Sequence, residues 1–326
     1  MKKLRIFMIN TILTYLLLTN SLFSLENHNL NYRIIKSPIF TDTDKIKNYE
    51  FIDFHQLINE LLNYDVIFIG EFHGNYTIHQ FQKEITAELV KKQKNITLSF
   101  EMFEKDTQAI LDSFLNDDIT EEDFIAKSRA WSNYQTDYKP LLMIAKDYKL
   151  PVIAANIPRK IASLVSKKGL DSLASVNESD KKYIPKKIHT LEDLSIDKDL
   201  YKELFYERME VLNHQMTSNS PMSKQKFDLE NLFLAQCIKD DTMAESINNF
   251  FLSYPKSKII HFNGSFHSDY SLGTVERLQA LNPKLKITII SPHIVEDYDQ
   301  KLSDDILDKG EYILLIREQF NDKLKN

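Results

Sequence analysis

Two four-residue stretches carry the most specific chemistry in the chain: Gly70-Glu71-Phe72-His73 and Gly264-Ser265-Phe266-His267. Each follows an apolar run that reads as a strand. In open parallel sheets, ligands bind outside the carboxyl ends of the strands. Both histidines are therefore expected on one functional edge, each placed by a glycine that lets the backbone turn sharply. Glu101 lies just beyond another strand on that edge, with Asn156 and Arg159 after a third and His79 near the start of a following helix. Imidazole and carboxylate are ligands of catalytic zinc and iron. Glu71, His73, Glu101 and His267 are thus a candidate divalent-metal site, able to bind a metal or activate water for hydrolysis. The ordinary alternative is a pair of loop histidines bonded to backbone, which the duplication disfavours. The chain has neither H-E-x-x-H nor G-x-S-x-G, excluding the zincin and serine-hydrolase mechanisms.

A second group is aromatic and basic. Trp131, Tyr134 and Tyr138 precede Pro140, with Arg129 alongside, and read either as a stapled loop or as a wall of the strand-end cleft. Further on, Lys181, Lys182, Lys186 and Lys187 surround Tyr183 and end at His189. Tyr206, Met209, Asn213 and Met216 repeat at helical spacing, with His214 on the flank of that face. A Met/Tyr stripe is commonly core, and a lysine run is commonly a solvated surface. An apolar groove with a phenol, an imidazole and lysines also suits haem. A Tyr oxygen can ligate ferric iron, and His or Lys can meet the propionates.

The elements that must position these groups alternate. Asp53 caps a helix whose Phe54, Leu57, Ile58, Leu61 and Leu62 share a face; Val66 to Ile69 is then a buried strand ending in Gly70. Ile78, Phe81, Ile85 and Leu89 mark a helix, Ile96 to Phe100 a strand, and Asp106 to Leu115 a helix. Thr120 with Asp123 imitates a capping box. Further strands are expected at Val152 to Ala155, Lys258 to Phe262, Ile287 to Ile290 and Tyr312 to Ile316. This alternation predicts an α/β fold with a mostly parallel sheet flanked by helices. Between Ile157 and Pro255 only helices are expected: Ile161 to Lys168, Asp199 to Met216, and Gln225 to Phe251. The division predicted is a signal peptide over 1–24, a core over 25–156 and 256–326, and a helical insertion over 157–255.

The start of the chain reads as an address. Lys2, Lys3 and Arg5 precede a broken apolar run from Ile6 to Leu18, with small residues at Thr19, Ser21 and Ser24. That is a cleavable secretory pattern, too short and broken for a transmembrane helix. Cutting after Ser21 or Ser24 takes the formal net charge from −6 to −9. The acidic balance excludes a nucleic-acid backbone binder. A single Cys, Cys237, excludes an intramolecular disulfide framework and reads as a small buried residue. Export to a periplasm or cell surface is expected, with no cysteine near the cleavage region to lipidate. Glycine is scarce: six in 326 residues, where about 7% is usual. Four of the six, Gly70, Gly74, Gly264 and Gly273, border the expected cleft.

Taken in order, several segments resemble the ChaN-like family of iron-regulated haem-binding proteins, grouped with erythromycin esterases and Tiki-type peptidases by paired G-x-x-H motifs. The matching pieces are Asp65 through His73, His79 and Gln82, Phe100 through Phe103, Trp131 through Pro140, Pro151 through Arg159, Ala235 through Ala244, and Asn263 through His267. The resemblance implies an exported α/β protein that binds haem at a dimer interface as a carrier in iron uptake, with a Tyr on iron and a His near a propionate. Tyr206 and His214 are the first candidates for those roles, and Tyr183, Tyr201 and His189 the reserves. A haem receptor or transporter is the implied partner. The absence of a cysteine for lipidation departs from the family's lipoprotein habit.

Overall fold

The structure, a computed structural model, describes residues 31–37, 49–189, 198–219 and 228–317, with the backbone alone at 198–199 and 212–219. The expected signal segment over 1–24 and the side chain of His214 lie outside the described residues. Eight strands form one sheet: β1 (Tyr32–Lys36), β2 (Glu50–Ile52), β3 (Val66–Glu71), β4 (Ile96–Glu104), β5 (Val152–Asn156), β6 (Lys258–Gly264), β7 (Ile287–Val295) and β8 (Tyr312–Arg317). Their spatial order is β2-β1-β8-β7-β3-β6-β4-β5. From β8 to β5 neighbours run parallel, whereas β1 is antiparallel to both β2 and β8.

The main helices are α1 (Phe54–Leu61), α2 (Tyr76–Lys92), α3 (Gln108–Leu115), α4 (Glu121–Ser128), α5 (Lys139–Tyr148), α6 (Arg159–Lys168), α7 (Lys198–Asn219), α8 (Leu229–Ser253) and α9 (Thr274–Leu281). Local chemistry starts several of them. Asp53 accepts from the Gln56 amide, Asn75 from Ile78 and Thr120 from Asp123, each satisfying an orphan donor of a first turn.

The sheet is buried on both faces because its strands alternate. Ile67 and Ile69 join Leu57, Ile78, Phe81 and Leu141 in one core, while Val66 and Phe68 join Met243, Ala244, Ile247 and Leu278 in the other. The span from 157 to 255 is helical where it is described. Within it α8 lies directly on the sheet. Tyr201 and Phe205 of α7 instead pack with Phe233 and Cys237 of α8 and with Leu272. Cys237 is buried, and burial pushes its thiol up to about 12.

The expected strands run past their apolar cores, β4 and β7 the furthest. β4 continues to Glu104, with a register shift against β5 between Phe100 and Glu104, and β7 continues to Val295. β1 and β2 have no counterpart in the sequence reading. β1 completes itself against β8, pairing Tyr32 with Ile316 from the far end of the chain. Among the described residues no helix is long and apolar enough to cross a membrane.

Candidate functional site

β3 carries Glu71 as its last residue, entirely inside the protein, and the chain then turns so that His73 stands at the surface with its side chain 43% exposed. His73 Nδ1 donates to Glu71 Oε1 at 2.7 Å. The same oxygen accepts from Tyr138 OH at 2.8 Å, and Oε2 accepts from Gln82 Nε2 at 3.0 Å. Gln82 also accepts from His79 Nδ1 at 2.9 Å, and His79 Nε2 lies 3.0 Å from Asp137 Oδ2 without hydrogen-bond alignment. Burial and the neighbouring Glu71 push the Tyr138 phenol far above its usual range, so it is a fixed donor. This side of the site is a carboxylate held by three donors that orients one imidazole. Trp131 packs edge-on against His73, with centroids 4.9 Å apart.

β6 carries the other half. His267 is buried, with Nδ1 2.6 Å from Asp240 Oδ1 and Nε2 3.2 Å from Glu101 Oε1. Burial alone would lower its pKa, but the two carboxylates outweigh that cost and raise it to about 9. Burial would likewise raise Glu101, yet His267, His73 and the Gly264 amide, donating at 2.6 Å, hold it well below the carboxylate range. Asp240 also accepts from Thr274 Oγ1 at 2.8 Å and Tyr201 OH at 2.6 Å. Behind it, fully buried Arg277 reaches Asp241 at 3.3 Å and Glu276 at 3.0 Å.

The two halves meet at Gly264. A Cβ there would stand 3.2 Å from His73 Nε2 and 3.5 Å from Glu101 Oε2. The expected reason for the tetrad glycines is therefore corrected. Gly264 has an ordinary φ of −55°, and Gly70 is likewise absent from the positive-φ residues. What glycine supplies is close approach, not a sharp turn. A positive φ of 60° occurs at Gly273, where a Cβ would collide with the His267 carbonyl oxygen at 2.7 Å.

Glu71, His73, Glu101 and His267 thus share one location, but their carboxylates are already bonded, Glu71 to His73, Tyr138 and Gln82, and Glu101 to His267 and the Gly264 amide. Among the described residues no group of three or more His, Cys, Asp or Glu is arranged to hold a metal ion. The arrangement instead offers an oriented imidazole, His73, beside a buried imidazolium, His267.

Above them opens a cleft of about 330 Å³ whose lining includes His73, Glu101, Trp131, Arg159, Phe205, Arg208, Lys239, Phe266 and His267. Of the aromatic group, Trp131 is a cleft wall, whereas Tyr134 and Tyr138 are core. Arg129 pairs with Glu104 and Asp106 outside the lining.

The phenols and imidazoles considered for haem fall into distinct settings. Tyr201 is buried, donates to Asp240, and is pushed well above its usual pKa by burial and that carboxylate. His189 is buried with Nδ1 2.6 Å from Asp241 Oδ1. Neither is presented to a ligand, because a buried carboxylate claims each one. Tyr183 is half-buried with the cluster of α6 and α8, and Lys182 lies over its ring. Tyr206 is half-buried on α7 beside Phe205 and Phe233, donating to Glu230 Oε2 at 2.8 Å, with Lys202 5.6 Å from its ring centre. A phenol on a partly open aromatic face with a cation beside it is a donor set that fits a ferric porphyrin.

Lys239, Asp240 and Asp241 lie in the Ala235–Ala244 segment of the resemblance but carried no assigned role, and Arg208 and Arg277 were not singled out from sequence. Gln236 and Asp240, four apart on α8, both reach His267, and that spacing was the available signal.

Comparison with known proteins agrees with this architecture. Residues 57–278 match the profile of a family described as haem-binding uptake, Tiki superfamily, ChaN. Among solved structures, ChaN of Campylobacter jejuni, determined for its cofacial haem binding, aligns with a TM-score of 0.62 at 19% identity, covering 88% of this chain and 97% of that one. An erythromycin esterase in its open conformation aligns at 0.42 and 14% identity, covering 74% and 72%. A type III effector aligns at 0.44 and 13%, covering 80% and 90%. The Campylobacter likeness is one of fold. No curated protein matches the chain.

Proposed function

The chain belongs to the ChaN family of haem-binding uptake proteins in the Tiki superfamily, and from that premise we propose that it is an exported haem carrier or store in iron acquisition, working as a homodimer that exchanges haem with a receptor or transporter. The observation that carries this reading is Tyr206. Of the candidate phenols it is the one that combines a half-open position with an aromatic surround and a carboxylate on its hydroxyl. Bound haem would supply a ferric Lewis acid for a phenolate oxygen. Glu230, 2.8 Å from the hydroxyl and paired with Lys202 at 2.6 Å, orients the phenol; burial and that carboxylate raise the phenol's pKa, so the proton would have to be displaced by bound iron itself. Phe205 and Phe233 offer ring faces, and His214, farther along α7, remains the proposed propionate partner.

Hemin titration tests the reading. The purified protein is expected to give a saturable Soret shift, with doubled apparent mass on size exclusion. Tyr206→Phe, which keeps the ring and removes the hydroxyl that would ligate iron, is expected to weaken binding at least about tenfold, a loss near 1.4 kcal/mol. An unchanged isotherm and spectrum in Tyr206→Phe would remove Tyr206 from the iron.

A second reading, hydrolysis of an ester or peptide, is favoured by the Glu71–His73 pair. An imidazole whose Nδ1 is fixed by a buried carboxylate presents Nε2 as a general base, with or without an added metal. Esterase and peptidase screens with and without Zn, Mn or Co check it. Activity abolished by His73→Asn supports the pair as catalytic, whereas blank screens throughout would leave the protein a binder.

A further inference from the structure

The strand-end cleft has an excess of unspent positive charge. Both carboxylates in its wall already have cationic or amide partners. Glu101 is taken by His267 and the Gly264 amide. Glu104 is taken by Arg129 Nε and Nη2 at 3.1 and 2.7 Å and by the Arg159 amide at 2.9 Å. What remains facing the cleft is cationic. The Arg159 guanidinium is 69% exposed and keeps only a long ion pair, at 3.8 Å, with Glu104, which Arg129 already holds more closely. Arg208 is exposed and lies 5.7 Å over the Phe266 ring, and half-buried Lys239 has no acidic partner among the described residues. Three such cations in one concavity contrast with a protein of formal charge −6, and walls of low dielectric concentrate their field there. Trp131 and Phe266 supply flat apolar walls.

We propose that this cleft is a binding site for a carboxylate carried on a flat apolar body, with Arg159, Arg208 and Lys239 receiving the charge and Trp131 and Phe266 packing the body. A guanidinium fork matches a carboxylate with two parallel hydrogen bonds, and an ammonium adds a point charge. The volume, about 330 Å³, lies at the low end of the roughly 300–1,000 Å³ typical of small-molecule sites. It therefore takes a small aromatic acid, or one propionate arm of a larger ring, rather than a whole macrocycle. The inference does not require iron on Tyr206, so the two stand or fall separately.

The chain contains one tryptophan, Trp131, and it lines the cleft, so fluorescence excited where tyrosine does not absorb reports on the site. The full-length protein is titrated with 3-phenylpropionate and, in parallel, with 3-phenylpropionamide, which has the same body without the charge. A saturable change is expected with the acid, at least about tenfold weaker with the amide and in an Arg159→Gln/Arg208→Gln/Lys239→Gln variant. Equal responses to acid and amide, no saturable response to either, or an unaltered isotherm in the triple variant would overturn the proposal. A hemin titration of the same variant identifies the natural source. Weakened hemin binding assigns the carboxylate to haem's own propionate, and unchanged hemin binding with lost phenylpropionate binding assigns it to a separate acid.

Discussion

Replacing Asp240 by Ala is expected to destabilise the protein by about 3–5 kcal/mol, the range for removing one partner of a buried ion pair. Asp240 is fully buried and takes three donors: His267 Nδ1 at 2.6 Å, Thr274 Oγ1 at 2.8 Å and Tyr201 OH at 2.6 Å. Alanine leaves the hydroxyls of Thr274 and Tyr201 without acceptors and strips a buried imidazolium of one of its two carboxylates. Folded domains have only about 5–15 kcal/mol in hand, so the loss is a large share. Asp240→Asn, which keeps size and an acceptor, is expected to cost less. Urea unfolding reads the difference as a lower midpoint at an unchanged slope. An Asp240→Ala midpoint equal to that of the unsubstituted protein would show that the network adds nothing to stability. Tyr201 is the contact by which this network grips α7, so the same variant is expected to loosen the helix that carries Tyr206.

The second large effect is a dependence on pH set by His267. In the folded protein its imidazole keeps a proton up to about pH 9, against about 6.5 in an unfolded chain. The folded state therefore binds more protons between those values, and its stability is complete below 6.5 and declines as pH rises towards 9. The shift corresponds to on the order of 3 kcal/mol. Asp269 and Glu276, which burial raises to about 7, also lose stability with rising pH, but they finish titrating in the lower part of that range. From about 7.5 to 9 two other groups add slopes of the same sign, the Cys237 thiol, raised by burial to about 12, and His73, raised beside Glu71 against the cost of its burial. Unfolding free energies across that interval should therefore fall more steeply in the native sequence than in His267→Gln. Parallel slopes in both would mean that the two carboxylates do not hold the proton. At the acid end Glu101 acts with the opposite sign. Its depressed pKa contributes stability above the ordinary carboxylate range, lost as pH falls through it.

Short-range pattern determined much of the molecule. The apolar runs at Val66, Ile96, Val152, Lys258, Ile287 and Tyr312 all became strands, because a strand buried on both faces needs continuous apolar residues. Asp53 and Thr120 capped the helices they preceded. The two tetrads met at one sheet edge because β3 and β6 are adjacent and parallel, setting Gly70 beside Asn263 and Glu71 beside Gly264. Four of six glycines in a glycine-poor chain pointed to that edge: Gly70 and Gly264 for close approach, to Ser265 and Pro292 and to His73, and Gly74 and Gly273 for a positive φ.

What the sequence could not determine was the partner of each polar group. His267 reads as a loop histidine or a metal ligand until α8 brings Asp240 against Nδ1 and β4 brings Glu101 against Nε2. Tyr201 and Tyr206 lie five residues apart on one helix, yet one is buried on Asp240 and the other stands half-open beside Glu230. Helical and strand periodicity record which face of an element is buried. They carry no information on which carboxylate, tens or hundreds of residues away, arrives to share that burial. That choice belongs to the packing of α7 and α8 across the ends of β4 and β6, where leaving a charge unpaired costs more than any local preference can supply.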